Sequence, residues 1–422
     1  MIENTNNILH NTTNFSNCLH SSDLKSFSKE VLQFVSHYNF NNGTDIQQSI
    51  QKHFTSKRLI VYSDVAFDKY GAIDHVSGYS DMHILQYATP FDAFSAFGKY
   101  NKNRNIKLVV PDIVIELEKT NPSDSSKLSL HRAEIQHSWG YERIKSQEAF
   151  EYILKNKSLN DLPDVVVGII DDGVKMGNDD FAHRLVASHS FTEEPESSFT
   201  SSTGHGGRVC SVLMENTLPN VKFISYKIFS SNETTLSILY LAEMQAELDG
   251  VDFINSSYGM FAKFDSGLSK PLHIASVGNV KSEQPQYPAA CDGVISVTAI
   301  NQTEKLYKKA AFGDWVKVAA PGENLKLPST YADGDYVEFT GTSCAAPFVT
   351  SICAMIKTQH PNLNNEPIKQ VLYDSCETAD IPVKYGIVNM FNAVSCLDNI
   401  TQPKAIKRTV DFTPKDPEPA LV

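Results

Sequence analysis

No run of apolar residues in this chain is long enough to cross a bilayer, so no helical membrane span is expected. The opening stretch, MIENTNNILHNTTNFSNCLH, has neither a basic n-region nor an apolar h-region, and it does not read as a secretory signal. Basic residues are in deficit. The formal charge of −12 disfavours non-specific binding to nucleic acid. Internal repeats are also missing. The seven cysteines, Cys18, Cys210, Cys291, Cys344, Cys353, Cys376 and Cys396, are odd in number and lack metal-type spacing. That argues against a disulfide framework or a zinc module, and fits free thiols in a reducing compartment. Sequons such as Asn42-Gly43-Thr44 arise by chance in a chain rich in Asn and Ser. These absences lead us to expect an intracellular site, or release by a route that needs no signal.

What is present is ordinary globular material. Apolar residues make up 41 % of the 422, enough for a sizeable core in two or three domains. Residues 1–57 form an N-terminal extension, with Leu24, Phe27, Val31, Phe34 and Val35 on one face of an expected amphipathic helix. In residues 58–117, RLIVYSDV, GAIDHVSGY and MHILQYAT predict short strands, PFDAFSAFGKYNKN a helix with Pro90 near its start, and NIKLVVPDIVIEL a further extended segment. This is the pattern of a small α+β domain. Residues 118–136 begin with the polar EKTNPSDSSKL and read as a linker.

From 137 to 398 strands and helices alternate. DVVVGII (164–170) and VKFISYKI (221–228) have the β-branched continuity of strands buried on both faces. TTLSILYLAEMQAEL (234–248) predicts a helix; VDFIN, LHIASV and GVISVTAI predict further strands. Helical spacing starts at Thr342 and runs to about Gln359. The alternation predicts an α/β domain, a mostly parallel sheet with helices on both faces. Residues 399–422 carry four prolines and no periodicity, and read as a tail.

Three places carry residues suited to chemistry. Asp171 follows DVVVGII directly and precedes Asp172-Gly173. Catalytic groups gather at the carboxyl ends of parallel strands, although a turn-forming Asp-Asp-Gly explains the residue equally well. His205 lies among glycines in TGHGGRVCSV, where a neighbour can approach its ring closely, or where it simply opens a helix. Ser343 stands in FTGTSCAAPFV at the expected first turn of a helix, with its hydroxyl expected to be exposed. A capping motif with small packing residues accounts for the same string. Pro347 is tolerated there because it lies within the first turn.

The ordered set is more specific than its parts. IIDDGV, GHGGRV and GTSCAAP resemble the three hallmark segments of the subtilases, the subtilisin-like serine proteases. HSWGYERIKSQEAF (137–150), INSSYG (254–259), IASVGN (274–279), YPAACDGVISV, APGENL and YGIVNMFNAV (385–394) are similar to further segments of that family. The resemblance covers roughly residues 137–398 and implies a subtilisin-like fold and a serine endopeptidase. It implies that Ser343 attacks the peptide carbonyl, that His205 takes and returns the proton, and that Asp171 orients and stabilises the imidazolium. Asn279 would donate to the oxyanion beside the backbone N–H of Ser343. Ser257, Tyr258 and Gly259 would offer an extended edge to a peptide substrate, and Ser276 and Gly278 would also bind it. Gln286 falls at the implied floor of the specificity pocket, as a shallow polar floor or as a solvent-exposed turn residue.

Departures set further expectations. Cys344 follows the implied nucleophile directly; it is a rival nucleophile or a source of thiol sensitivity. The family often carries a calcium-binding loop between the His segment and the next strand. Here only MENTLPN intervenes, so no metal or other cofactor is expected, calcium being the one ion left open. Asp180 matches a family position that ligates calcium, and a solvated Asp is the simpler reading. Residues 58–117 resemble the family's inhibitory propeptide more loosely, the helix after the first strand being absent between Asp64 and Gly71; an unrelated accessory domain is the alternative. The resemblance implies a zymogen inhibited by its own propeptide and cleaved within 118–136. The partners are therefore protein or peptide substrates and that propeptide. A peptide-binding pseudoprotease and a sedolisin-like acid peptidase, which uses Glu where this chain has His205, are the rival readings.

Overall fold

The structure is a computed structural model. It describes residues 57–77, 81–100, 103–117, 137–155, 157–175, 183–192, 204–229, 233–261, 263, 270–330 and 336–396. The expected amphipathic helix near the N-terminus, the linker, the tail and Asp180 lie outside these residues. Contacts divide the chain into two units. Among the described residues, the smaller comprises those up to Ile115 together with Thr235–Leu241, and the larger comprises those of Glu116–Thr234 and those from Ala242 onward.

In the smaller unit, alternating apolar residues form β1 (Arg58–Tyr62), β2 (Asp74–Ser77), β3 (Met82–Gln86) and, after helix α1 (Pro90–Tyr100), β4 (Leu108–Pro111). They make an antiparallel sheet in the order β2-β3-β1-β4. α1 starts where it does because Thr89 and Asp92 cap each other: the Asp92 N–H donates to Thr89 Oγ1 at 3.1 Å, and the Thr89 N–H donates to Asp92 Oδ2 at 3.1 Å. Leu59, Val61, Leu85, Phe97 and Val109 close the core between sheet and helix. No helix occupies the stretch between Asp64 and Gly71, where the sequence also lacks the helix that follows the first strand in the family's propeptide. Beyond Pro111, buried Asp112 accepts both the Ser237 N–H and its hydroxyl at 2.7 Å.

β5 (Val114–Leu117) ends in the larger unit. That unit continues through α2 (Trp139–Arg143), α3 (Ser146–Leu154), β6 (Val165–Asp171), β7 (Leu185–Ser190), α4 (His205–Glu215) and β8 (Val221–Lys227). Next come β9 (Glu233–Thr235), α5 (Leu236–Leu248), β10 (Phe253–Ser256), β11 (Tyr258–Gly259), β12 (Leu272–Ser276), β13 (Ile295–Ile300) and β14 (Val318–Pro321). The chain then forms β15 (Leu325–Pro328), β16 (Tyr336–Phe339), α6 (Thr342–Gln359), α7 (Asn365–Asp374), β17 (Gly386–Ile387) and α8 (Met390–Ser395). Eight strands form a parallel sheet in the order β17-β14-β13-β12-β10-β6-β8-β7. β6, VVVGIID, is buried at every position, as a strand covered by helices on both faces must be. α6 is apolar nearly all round for the same reason: it packs on β10, β12, β13 and β14 and on α4. The expected α/β class, a mostly parallel sheet with a small α+β domain before it, is the observed one.

Candidate active site

Asp171 is the last residue of β6. β6 is where the strand order reverses, with β8 and β7 on one side and β10 onward on the other. Such a switch point opens a crevice at the carboxyl ends of the strands. Asp171 is fully buried, and its Oδ1 accepts the Asp172 N–H and the Nδ1 of His205, each at 2.8 Å. A proton on Nδ1 leaves Nε2 as the basic nitrogen of the neutral ring. Burial works to lower the affinity of His205 for a second proton. The Asp171 carboxylate, helped by Asp172, outweighs it, so the imidazole stands above its ordinary value.

His205 is the first residue of α4, and the neighbour that fixes it there is one that sequence reasoning did not single out. Asp172 accepts the Gly206 N–H at 2.7 Å and the His205 N–H at 3.3 Å, satisfying first-turn donors of the helix. The signal was present in Asp-Asp-Gly, where the first carboxylate faces the ring and the second caps the helix. Gly206 is required by close approach: a Cβ there would collide with the Gly173 carbonyl and crowd Asp172 Oδ1. The edge of the Phe339 ring meets the His205 ring at 5.6 Å between centroids.

Ser343 occupies the first turn of α6. Its hydroxyl is not exposed as the helix-start geometry alone predicted; the residue is fully buried, and its Oγ donates to the Ser257 carbonyl at 3.3 Å. Ser257 Oγ donates back to the Ser343 carbonyl at 3.1 Å, so the two backbones are clasped. The strand edge beside Ser257 is itself paired. Tyr258 and Gly259 of β11 lie antiparallel to Leu117 and Glu116, the end of β5 that belongs to the larger unit. Cys344 is fully buried and its thiol is pushed well up by burial, which keeps it protonated.

Asn279 follows Gly278 at the end of the β12 segment. Its Oδ1 accepts the Thr342 N–H at 2.9 Å and the Thr342 hydroxyl at 3.2 Å, which fixes the carboxamide beside the start of α6. Gly278 (φ +98°) donates its N–H to Thr342 Oγ1 at 3.1 Å, and Ser276 is buried two residues before it. Gln286 is not a solvent-exposed turn residue: it is 5 % exposed, and its side-chain amide fills the space a Cβ on Gly278 would take. Its neighbour Tyr287 exchanges backbone hydrogen bonds with Met260, next to β11, at 2.8 and 3.0 Å. The structure thus joins His205 to Asp171 at the end of β6, joins Ser343 and Asn279 to Ser257 and Thr342 at the start of α6, and sets Gln286 against Gly278. Tyr258 has a buried polar backing that the sequence did not reveal, since Ser256 Oγ lies 3.0 Å from its hydroxyl and 2.7 Å from His273 Nε2.

Comparison with known proteins agrees with this architecture. The crystal structure of fervidolysin from Fervidobacterium pennivorans, a keratinolytic enzyme related to subtilisin, superposes with a TM-score of 0.63 at 19 % identity. The match covers 81 % of this chain and 61 % of that one, so this chain spans about three fifths of fervidolysin. The thermostable alkaline protease of Halalkalibacterium halodurans is 23 % identical over 305 residues, 68 % of this chain and 77 % of the relative. Subtilisin DY of Bacillus licheniformis is 29 % identical over 246 residues, 53 % of this chain and 87 % of the relative. The model of the subtilase family matches residues 163–393, more than half of the chain and a stretch that includes Asp171, His205, Asn279 and Ser343. The chain therefore belongs to the subtilase family and is a serine-type endopeptidase.

Proposed function

We propose that Ser343, His205 and Asp171 form the catalytic triad and that Asn279 completes an oxyanion hole with the backbone N–H of Ser343. The observation that carries the reading is the 2.8 Å hydrogen bond from His205 Nδ1 to Asp171 at the switch point of the sheet. In the reaction, Nε2 of His205 takes the proton of the Ser343 hydroxyl as Oγ attacks the carbonyl carbon of the scissile bond. The same ring returns that proton to the departing amine. Water then repeats the sequence to release the acyl group. Asp171 holds the tautomer and stabilises the imidazolium. Asn279, anchored through Oδ1 by Thr342, would donate its side-chain amide to the developing oxyanion. In subtilisin, loss of such a donor lowers kcat by about 10²–10³.

The substrate would add as an antiparallel strand to Tyr258-Gly259, which favours extended or unfolded segments of protein. The pairing of Glu116-Leu117 with that edge supports the zymogen reading. A segment just upstream of the expected cleavage region occupies the place of substrate and keeps the enzyme latent until the chain is cut within residues 118–136. Gln286, whose Nε2 is buried and finds no hydrogen-bond partner among the described residues, supports a shallow, polar specificity pocket.

A fluorophosphonate probe tests the reading in one step, applied to the full chain after processing. Labelling of wild type and none of Ser343→Ala is the expected result. Equal labelling of both would remove Ser343 from the mechanism, and no labelling of a processed wild type would favour the pseudoprotease.

A further inference from the structure

Members of the family often carry a calcium-binding loop at the connection between α4 and β8; here the connection is short, and the described residues there do not fit a calcium ion. Calcium takes six to eight oxygen ligands at about 2.3–2.6 Å, carboxylates prominent among them. Here the oxygens of the connection are already turned onto a fixed positive charge from the protein itself. Arg184, just before β7, is 4 % exposed. Its Nε donates to the Val221 carbonyl at 3.0 Å, and its Nη1 to the Met214 and Thr217 carbonyls at 3.3 and 3.2 Å. Its Nη2 donates to Thr217 Oγ1 at 2.5 Å. Met214 lies in the last turn of α4 and Val221 opens β8, so one guanidinium spans the whole connection.

The charge has no carboxylate partner among the described residues. Glu215, the last residue of α4, faces elsewhere and accepts the Ser138 N–H and hydroxyl at 2.6 Å each. Cys210, nearby, is no anion, because burial pushes its thiol up to about 12. The ring of Phe223 covers one face of the guanidinium, with Cζ 4.8 Å from its centroid. Burial lowers the Arg184 value to about 10, which still leaves it charged at neutral pH. Carbonyls at the end of a helix carry partial negative charge and attract a cation. A divalent ion placed among these oxygens would lose ligands to the guanidinium and sit beside a like charge in a site closed to water.

We propose that Arg184 is a tethered cation that takes the place of a metal ion at this connection, so that residues 214–221 are held without calcium. The inference does not depend on the triad. The test is hydrogen exchange of peptides covering 214–221, referenced to peptides from β13, in the full chain carrying Ser343→Ala to prevent self-digestion. With Arg184 in place, exchange in 214–221 is expected to be the same in a calcium chelator and in millimolar calcium chloride. Arg184→Met, of similar length but neutral, should exchange at least about tenfold faster there, the factor for one lost charge-assisted hydrogen bond. Arg184→Lys, which keeps the charge but not the fork, should lie between. Specific slowing of 214–221 by calcium while Arg184 is present would overturn the proposal, as would an Arg184→Met protein as protected as its parent. If Arg184→Met does not fold, the calcium comparison alone decides.

Discussion

His205 must be neutral to act as a base, and the Asp171 carboxylate beside it holds the imidazolium form in place. Because that pairing raises the ring above its ordinary 6.5, kcat/KM for a peptide substrate should climb with pH along an acid limb whose midpoint lies above 6.5. Asp171→Asn should move that limb down and cut the rate by orders of magnitude. A limb below 6.5 in wild type, or an acid-only optimum, would instead suit the sedolisin-type rival. Gln286 makes a second residue-scale claim. With its amide packed onto Gly278, a peptide library should select small or polar side chains at the position just before the cut. Gln286→Gly should open the pocket and shift selection toward large aromatic residues. Strong aromatic preference in wild type would show that Gln286 yields easily to substrate.

Between elements, the placement of His205 depends on how closely α4 approaches the end of β6. Gly206 permits that approach and Asp172 secures it through the first-turn amides. Gly206→Ala must push the helix away from the Gly173 carbonyl, a shift expected to cost about 1–3 kcal/mol of stability. Denaturant unfolding in the Ser343→Ala background measures the stability loss. A further loss of activity beyond the fraction unfolded would show that His205 has moved off Asp171. Ala at this position without loss of either would mean the strand end is softer than its packing indicates.

For the molecule as a whole, two predictions concern the intact chain. If the cut within 118–136 is made by this enzyme, wild type shortens after synthesis and Ser343→Ala stays full length, which intact mass reads directly. Full-length wild type with full activity would remove the zymogen from the account. The second concerns Glu243 on α5, which is 2 % exposed and whose two oxygens find no hydrogen-bond partner among the described residues. Burial pushes its carboxyl from an ordinary 4.5 up to about 8. Between those values the folded chain keeps a proton that the unfolded chain has released, so stability falls as pH rises through that window. Below 4.5 both states hold the proton, and above about 8 both have lost it. In the Ser343→Ala background, adding Glu243→Gln should flatten the fall in denaturant midpoint between pH 5 and pH 8. An unchanged slope would mean Glu243 is already ionised in the folded protein.

The one-dimensional string was enough for the class of fold and for the family. VVVGIID could be a strand covered on both faces because it is β-branched and unbroken, and GTSCAAP could open a helix because its small residues and early proline suit a first turn. These are local properties, carried by a few neighbouring side chains. What the string left open were matters of contact between distant segments. Asp172 read as a turn residue until α4 came to rest on it. The Ser343 hydroxyl looked exposed until the Ser257 carbonyl covered it. Gln286 was undecided until Gly278 left room for its amide, and the α4–β8 connection looked merely too short for a metal until Arg184, just before β7, reached into it. Each of these depends on which groups lie within about 3 Å across tens of residues of sequence, and a hydrogen bond of that reach leaves no periodic trace in either partner.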